Sequence, residues 1–334
     1  NSLIIRNFNC DYDMRENLPK ERGIEVKTNF APMQRYIGAE NFGVITKVTD
    51  EATWKATEPA NWTAPTSWDP EHVVTYRTAV TVASAAEMIL PADVAVRSMN
   101  IAPAGSLALS GPSDVVISEA LTVTGDGSAK VWDVADGSSV RITTPAFAAT
   151  TTAFKKMGAG SLAFDFSTIQ TDIPFVAGYT SGLRAIDVEG GTLSILGRSC
   201  WEQNGKLGSN SSGVNGPLYV GNGATVVLER IGHGSSNGGA ATYIGSSDDG
   251  DGTLVLQNGA IDLGTMSVGY RCTKPTVATV AVTNAAVRVS GSTTVCFGDV
   301  QNDTQAANVT AVGRFGSGAS LTDTAGGYAN GTVA

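Results

Sequence analysis

Short phrases recur between Pro217 and Asp299, and this repeat constrains the fold more than any other feature of the chain. Tyr219-Val220-Gly221, Tyr243-Ile244-Gly245 and Ser267-Val268-Gly269 are followed by a fourth copy, Cys296-Phe297-Gly298. Their central apolar residues fall at 220, 244, 268 and 297, in steps of 24, 24 and 29. Between them Thr253–Leu263 aligns residue for residue with Thr279–Val289. Both copies read apolar-x-apolar, then an Asn-small-Ala turn, then apolar-x-apolar again. A period of ~20–50 residues built from short strands marks a solenoid, whereas four-stranded propeller blades need ~40–50. The expectation is that Val220, Ile244, Val268 and Phe297 stack in one interior column.

A second phrase, Gly-small-apolar-x-apolar, extends the pattern upstream. It occurs at Gly105–Leu109, Gly160–Phe164, Gly191–Ile195 and Gly252–Leu256. Alternation puts Leu162, Phe164 and Phe166 on one face and Ser161, Ala163 and Asp165 on the other. Glycine supplies the bend and a half-buried strand follows. With strands ~4.8 Å apart, residues 75–334 would make roughly ten coils of ~26 residues and a rod of roughly 45–50 Å.

The start of the chain has a different composition. Residues 1–77 hold 3 of the 39 Gly, 20 of the 53 charged residues and 3 of the 5 Trp. Residues 1–51 read as a cap or the tail of a preceding domain, with strands around Ile24/Val26 and Val44/Ile45/Val48. Residues 52–74, with Trp54, Trp62, Trp68 and three prolines, read as an irregular lead-in whose rings cover the open end of a core. The competing reading of those rings is an exposed platform for sugars.

Composition excludes several function classes. A net charge of −9 speaks against a nucleic-acid partner. No apolar run approaches the ~20 residues of a membrane helix. Cys10, Cys200, Cys272 and Cys296 form no CxxC, so no ordinary zinc site is expected. Cys272 and Cys296, 24 residues apart, are the one pair that neighbouring coils would bring close. The C-terminal run Gly326–Ala334 reads as a solenoid cut in mid-repeat, hence part of a longer chain.

Lys156-Met157-Gly158-Ala159-Gly160-Ser161-Leu162-Ala163-Phe164 and Val188-Glu189-Gly190-Gly191-Thr192-Leu193-Ser194-Ile195 resemble the passenger-associated repeats of bacterial autotransporters and related β-strand-repeat surface proteins. The resemblance covers residues 52–334, including the Trp54…Trp62…Trp68 lead-in. It implies an all-β, right-handed parallel β-helix, secreted or displayed at the bacterial cell surface. For activity it is nearly silent, since such passengers include adhesins, proteases and inert stalks.

Chemistry-bearing residues are sparse. The insertion 200–217 carries Trp201, and Asp248-Asp249-Gly250-Asp251 forms an acidic loop. Both are candidate binding elements, because loops projecting from a rigid scaffold carry function. Asp248, Asp249 and Asp251 offer oxygen ligands for Ca²⁺ but lack the spacing of an EF-hand, so a solvated turn is the competing reading. His72 and His233 are the only histidines, and no hydrolytic triad is expected. Asp262 and Arg288 occupy equivalent places in consecutive copies, either as an exposed ladder pair or as part of a glycan-processing cleft. The expected role is a non-enzymatic stalk or adhesive surface for a glycan, host or matrix ligand. The alternative is a glycan-active lyase or hydrolase.

Overall fold

The computed structural model describes residues 2–5, 43–46, 50–125, 129–150, 153–170, 173–177, 186–202, 218–221, 223–229, 231–233, 241–246, 250–263, 265–270, 272–289, 295–299 and 308–323. The chain divides into Asn1–Asp50 and Glu51–Ala334. In the first unit, Ser2–Ile5 pairs antiparallel with Gly43–Thr46. Val44 and Ile45 lie in that strand as expected, while Ile24, Val26 and Val48 lie outside the described residues.

The second unit is built almost entirely of β-strands in parallel sheets. Sheet I takes Ala60–Asn61, Ala85–Ile89, Ser106–Ser110, Ala129–Val134, Ala153–Met157, Ile186–Val188, Leu218–Val220, Ala241–Ser246, Thr265–Tyr270 and Val295–Asp299, side by side in chain order. Sheet II takes Asp93–Val96, Pro112–Ile117, Ser139–Thr143, Ser161–Phe166, Thr192–Gly197, Ala224–Glu229, Gly252–Leu263, Thr276–Val289 and Val309–Phe315, with Ser320–Asp323 also on Thr276–Val289. Sheet III takes Glu51–Trp54, Ala79–Val82, Ser98–Ile101, Leu121–Thr124 and Phe147–Thr150, and sheet IV takes Ile173–Ala177, Ser199–Glu202 and Ile231–His233. From Ala79 to Phe166 successive strands go to sheets III, I and II in fixed rotation. Sheet IV then takes the place of sheet III.

Alternation explains why these segments are strands. In Ser106–Ser110, Leu107 and Leu109 are buried while Ser106, Ala108 and Ser110 are half-buried, the period of a sheet with one inward face. Val220, Ile244, Val268 and Phe297 pair in succession across sheet I, and all four are buried. Thr253 pairs with Thr279 and the pairing runs through to Leu263 with Val289, the alignment read from the sequence. The Asn turn in each copy is a bend inside one long strand pairing. Asn258 and Asn284 hold φ of 59° and 50°, the left-handed region that Asn tolerates better than most residues.

The inward faces of the sheets meet in a shared core. Phe164 of sheet II lies 5.7 Å from Trp132 and 5.8 Å from Phe154, both of sheet I. It also lies 6.2 Å from Phe147 of sheet III and 5.0 Å from Phe175 of sheet IV. At the start of the unit, Trp54, Trp62 and Trp68 are 2%, 4% and 0% exposed. Trp68 meets Trp54 and Trp62 edge-on at 5.1 and 4.7 Å, and its indole N–H donates to the Trp62 carbonyl at 2.8 Å. The lead-in is more regular than its prolines suggested. Glu51–Trp54 already pairs in parallel with Ala79–Val82, and Trp68–Asp69 closes that edge antiparallel.

Candidate functional site

Of the acidic loop, Asp251 is described, whereas Asp248 and Asp249 lie outside the described residues. Asp251 is exposed, and its groups are engaged by neighbouring repeats. Its carboxylate Oδ1 accepts from the Val277 N–H at 2.7 Å, and its carbonyl accepts from the Gly223 N–H at 2.7 Å. That makes it a staple between bends, satisfying edge donors that would otherwise rely on water. Among the described residues, no group of three His, Cys, Asp or Glu stands close enough to hold a metal ion.

Trp201 lies in Ser199–Glu202 of sheet IV, paired with Val176 on one side and His233 on the other. Parallel pairing thus brings the backbones of two residues 32 positions apart (233 − 201) side by side, a pairing that no local pattern encodes. His72 is half-buried, and its Nδ1–H donates to the Pro70 carbonyl at 2.8 Å. Asp262 and Arg288 are direct register partners, with Arg288 exposed. Cys272 is buried, with its Sγ 3.5 Å from the Gly245 carbonyl, and Cys296 is the register partner of Ser267.

Three ionic arrangements escaped the sequence reading. Asp165, placed on the outward face with Ser161 and Ala163, is in fact buried. Arg141 of the neighbouring strand lies over it, with Nε donating to Oδ2 at 2.7 Å and Nη2 to the same oxygen. The Ser167 N–H donates to Oδ1 at 2.8 Å. Burial pushes the Asp165 pKa up, but the hydrogen bonds from Ser167 and Arg141 and the Arg141 charge outweigh it, and the net direction is down.

Lys156, the first residue of the Lys-x-Gly-x-Gly phrase, points inward and is fully buried. Its ammonium donates to the carbonyls of Gly158, Gly160 and Gly190 at 2.6, 2.5 and 2.8 Å. Desolvation lowers its pKa to about 8, against a raising contribution from Asp133. A Cβ at Gly191, where φ is +59°, would overlap both the Lys156 Nζ and the Gly160 carbonyl. Gly191 of the following repeat therefore makes room for the lysine.

The third arrangement is a polar corner. Glu229 Oε1 accepts from Gln257 Nε2 at 3.0 Å and Asn258 Nδ2 at 2.8 Å, while Oε2 accepts from the Gly197 N–H at 3.2 Å. Asn284 Nδ2 continues the ladder to Asn258 Oδ1 at 3.4 Å. All three arrangements tie one repeat to the next.

Comparison of the chain with protein-family models, curated proteins and solved structures finds no match in any of the three. Among the described residues, no helix is long and apolar enough to cross a membrane, which says nothing of a β-barrel.

Proposed function

We propose that residues 51–323 form a right-handed parallel β-helix that serves as a stalk or adhesive surface of a secreted or surface-displayed bacterial protein. The observation that carries the reading is the rotation of successive strands through the sheets, each strand stacked on its counterpart one repeat earlier. Phe164, which meets rings from sheets I, III and IV, supports closure of those sheets around one core. Handedness and setting rest on the resemblance of the Lys156–Phe164 and Val188–Ile195 phrases to autotransporter passenger repeats. Each polar tie described above links neighbouring repeats, as a rod requires.

In this reading the repeats build a scaffold and the segments that interrupt them meet the ligand. Trp201, on the strand Ser199–Glu202 that leads into the insertion, and the Asp248, Asp249 and Asp251 loop are the proposed contacts, with a glycan, host or matrix component as partner. Calcium at the acidic loop is a secondary proposal, and Asp251 already gives one carboxylate oxygen to Val277. The test is a glycan and matrix-protein array with the parent, Trp201→Ala and Asp251→Ala. Binding lost in either variant, with folding intact, supports the reading. Turnover of an anionic polysaccharide, lost on changing Asp262 or Arg288, would replace it with a glycan-active enzyme.

A further inference from the structure

Register is the weak point of a stack of similar strands. A slip of one residue turns every inward side chain outward and is heavily penalised. A slip of two keeps each residue on its face, so only shape and polar contacts oppose it. In sheet I the inward column beside Trp132 continues through Val188, Val220, Ile244 and Val268. These four β-branched aliphatics fill similar volumes and discriminate poorly among pairings.

Lys156 stands in that column between Trp132 and Val188. Its three N–H donors meet three carbonyls, two from the bend after its own strand and one, Gly190, from the following repeat. The charged groups around it are few. Asp133 and the buried Lys130 lie on the preceding strand, while Lys155 pairs outward with Glu189 at 2.6 Å and stands 3.9 Å from Asp187. A two-residue slip against Ile186–Val188 would withdraw the ammonium from the Gly190 carbonyl and leave one of its three donors facing an apolar wall. A buried charge that costs stability yet selects one pairing is a known use of such groups.

We propose that Lys156 is a register pin, fixing Ala153–Met157 against Ile186–Val188 because its ammonium, already held by the bend after its own strand, reaches the Gly190 carbonyl of the following repeat only in the native pairing. The test is Lys156→Met in the full chain labelled with ¹⁵N-glycine, read at the amides of Gly158, Gly160, Gly190 and Gly191. The expected result is a second set of these signals, with a urea midpoint equal to or above that of the parent. One set of signals overturns the proposal, because Lys156 would then only stabilise the native pairing. If the variant does not fold, the parent is titrated from pH 7 to pH 11 instead. Loss of the ammonium proton should bring in the second set reversibly with a midpoint near 8, and a single set throughout overturns the proposal equally.

Discussion

Truncating Phe164 tests most sharply whether the sheets share one interior. The ring is 1% exposed and has aromatic neighbours on three other sheets. Phe164→Ala should cost about 3–5 kcal/mol, the range for emptying a packed aromatic site. That is a large part of the roughly 5–15 kcal/mol that holds a typical domain together. The cross-sheet contribution is isolated by double-mutant cycles pairing Phe164→Leu with Phe147→Leu and with Trp132→Leu. Each aromatic pair should show a coupling of about 0.5–1.5 kcal/mol. Urea unfolding followed by far-ultraviolet circular dichroism and tryptophan fluorescence gives the free energies. Couplings below about 0.3 kcal/mol in both cycles, within the additivity of independent sites, would refute packing of Phe164 against rings of sheets I and III.

Other consequences follow from single residues. Ile244→Asp places a charge in the column between Val220 and Val268 and should unfold the neighbouring repeats together, seen as loss of amide exchange protection on both sides. Asn284 has φ of 50°. Asn284→Gly should therefore stay within about 1 kcal/mol of the parent, while Asn284→Val should cost about 1–3 kcal/mol in thermal or urea unfolding. Lys156 binds its proton less tightly folded than unfolded, so stability should rise between about pH 8 and the ordinary lysine range near 10.4, and Lys156→Met should remove that rise. Asp165 has the opposite sense. Its lowered pKa gives stability that is full above the unfolded carboxylate pKa near 3.9 and lost as pH falls through the folded value, and Asp165→Asn should flatten that acid limb.

The repeat was legible because it obeys two rules that sequence displays directly. Val220, Ile244, Val268 and Phe297 recur at the spacing of whole repeats, and the two Asn-containing copies share one alternation, so both register assignments could be read without coordinates. Lys156 was harder. It occupies the inward phase of its strand, in step with Phe154, but a lysine ordinarily marks a solvated position. Only the convergence of Gly158, Gly160 and Gly190 makes its burial tolerable. Asp165 was placed on the correct face, yet its burial depends on Arg141, 24 positions earlier, lying across it. The pairing of Trp201 with His233 follows from the register of sheet IV across a long insertion, which no local pattern encodes. The tryptophan steps of 8 and 6 suggested an irregular segment because Trp54 and Trp68 come from separate short strands and Trp62 from the turn after Ala60–Asn61, and the rings meet only in space.

The central claim is that each repeat adds one strand to a continuous parallel stack. Asp93 and Arg314 are exposed members of one column of sheet II, joined through Asp114, Arg141, Ala163, Ser194, Val227, Val255 and Ala281. Eight strand spacings of ~4.8 Å separate them, about 38 Å. Spin labels at Asp93→Cys and Arg314→Cys, with the four native cysteines replaced, measure that separation by pulsed electron resonance. A single narrow distribution near 38 Å, allowing for the label arms, is the expected result. A mean below about 25 Å, or a broad distribution without a maximum, would contradict the stack.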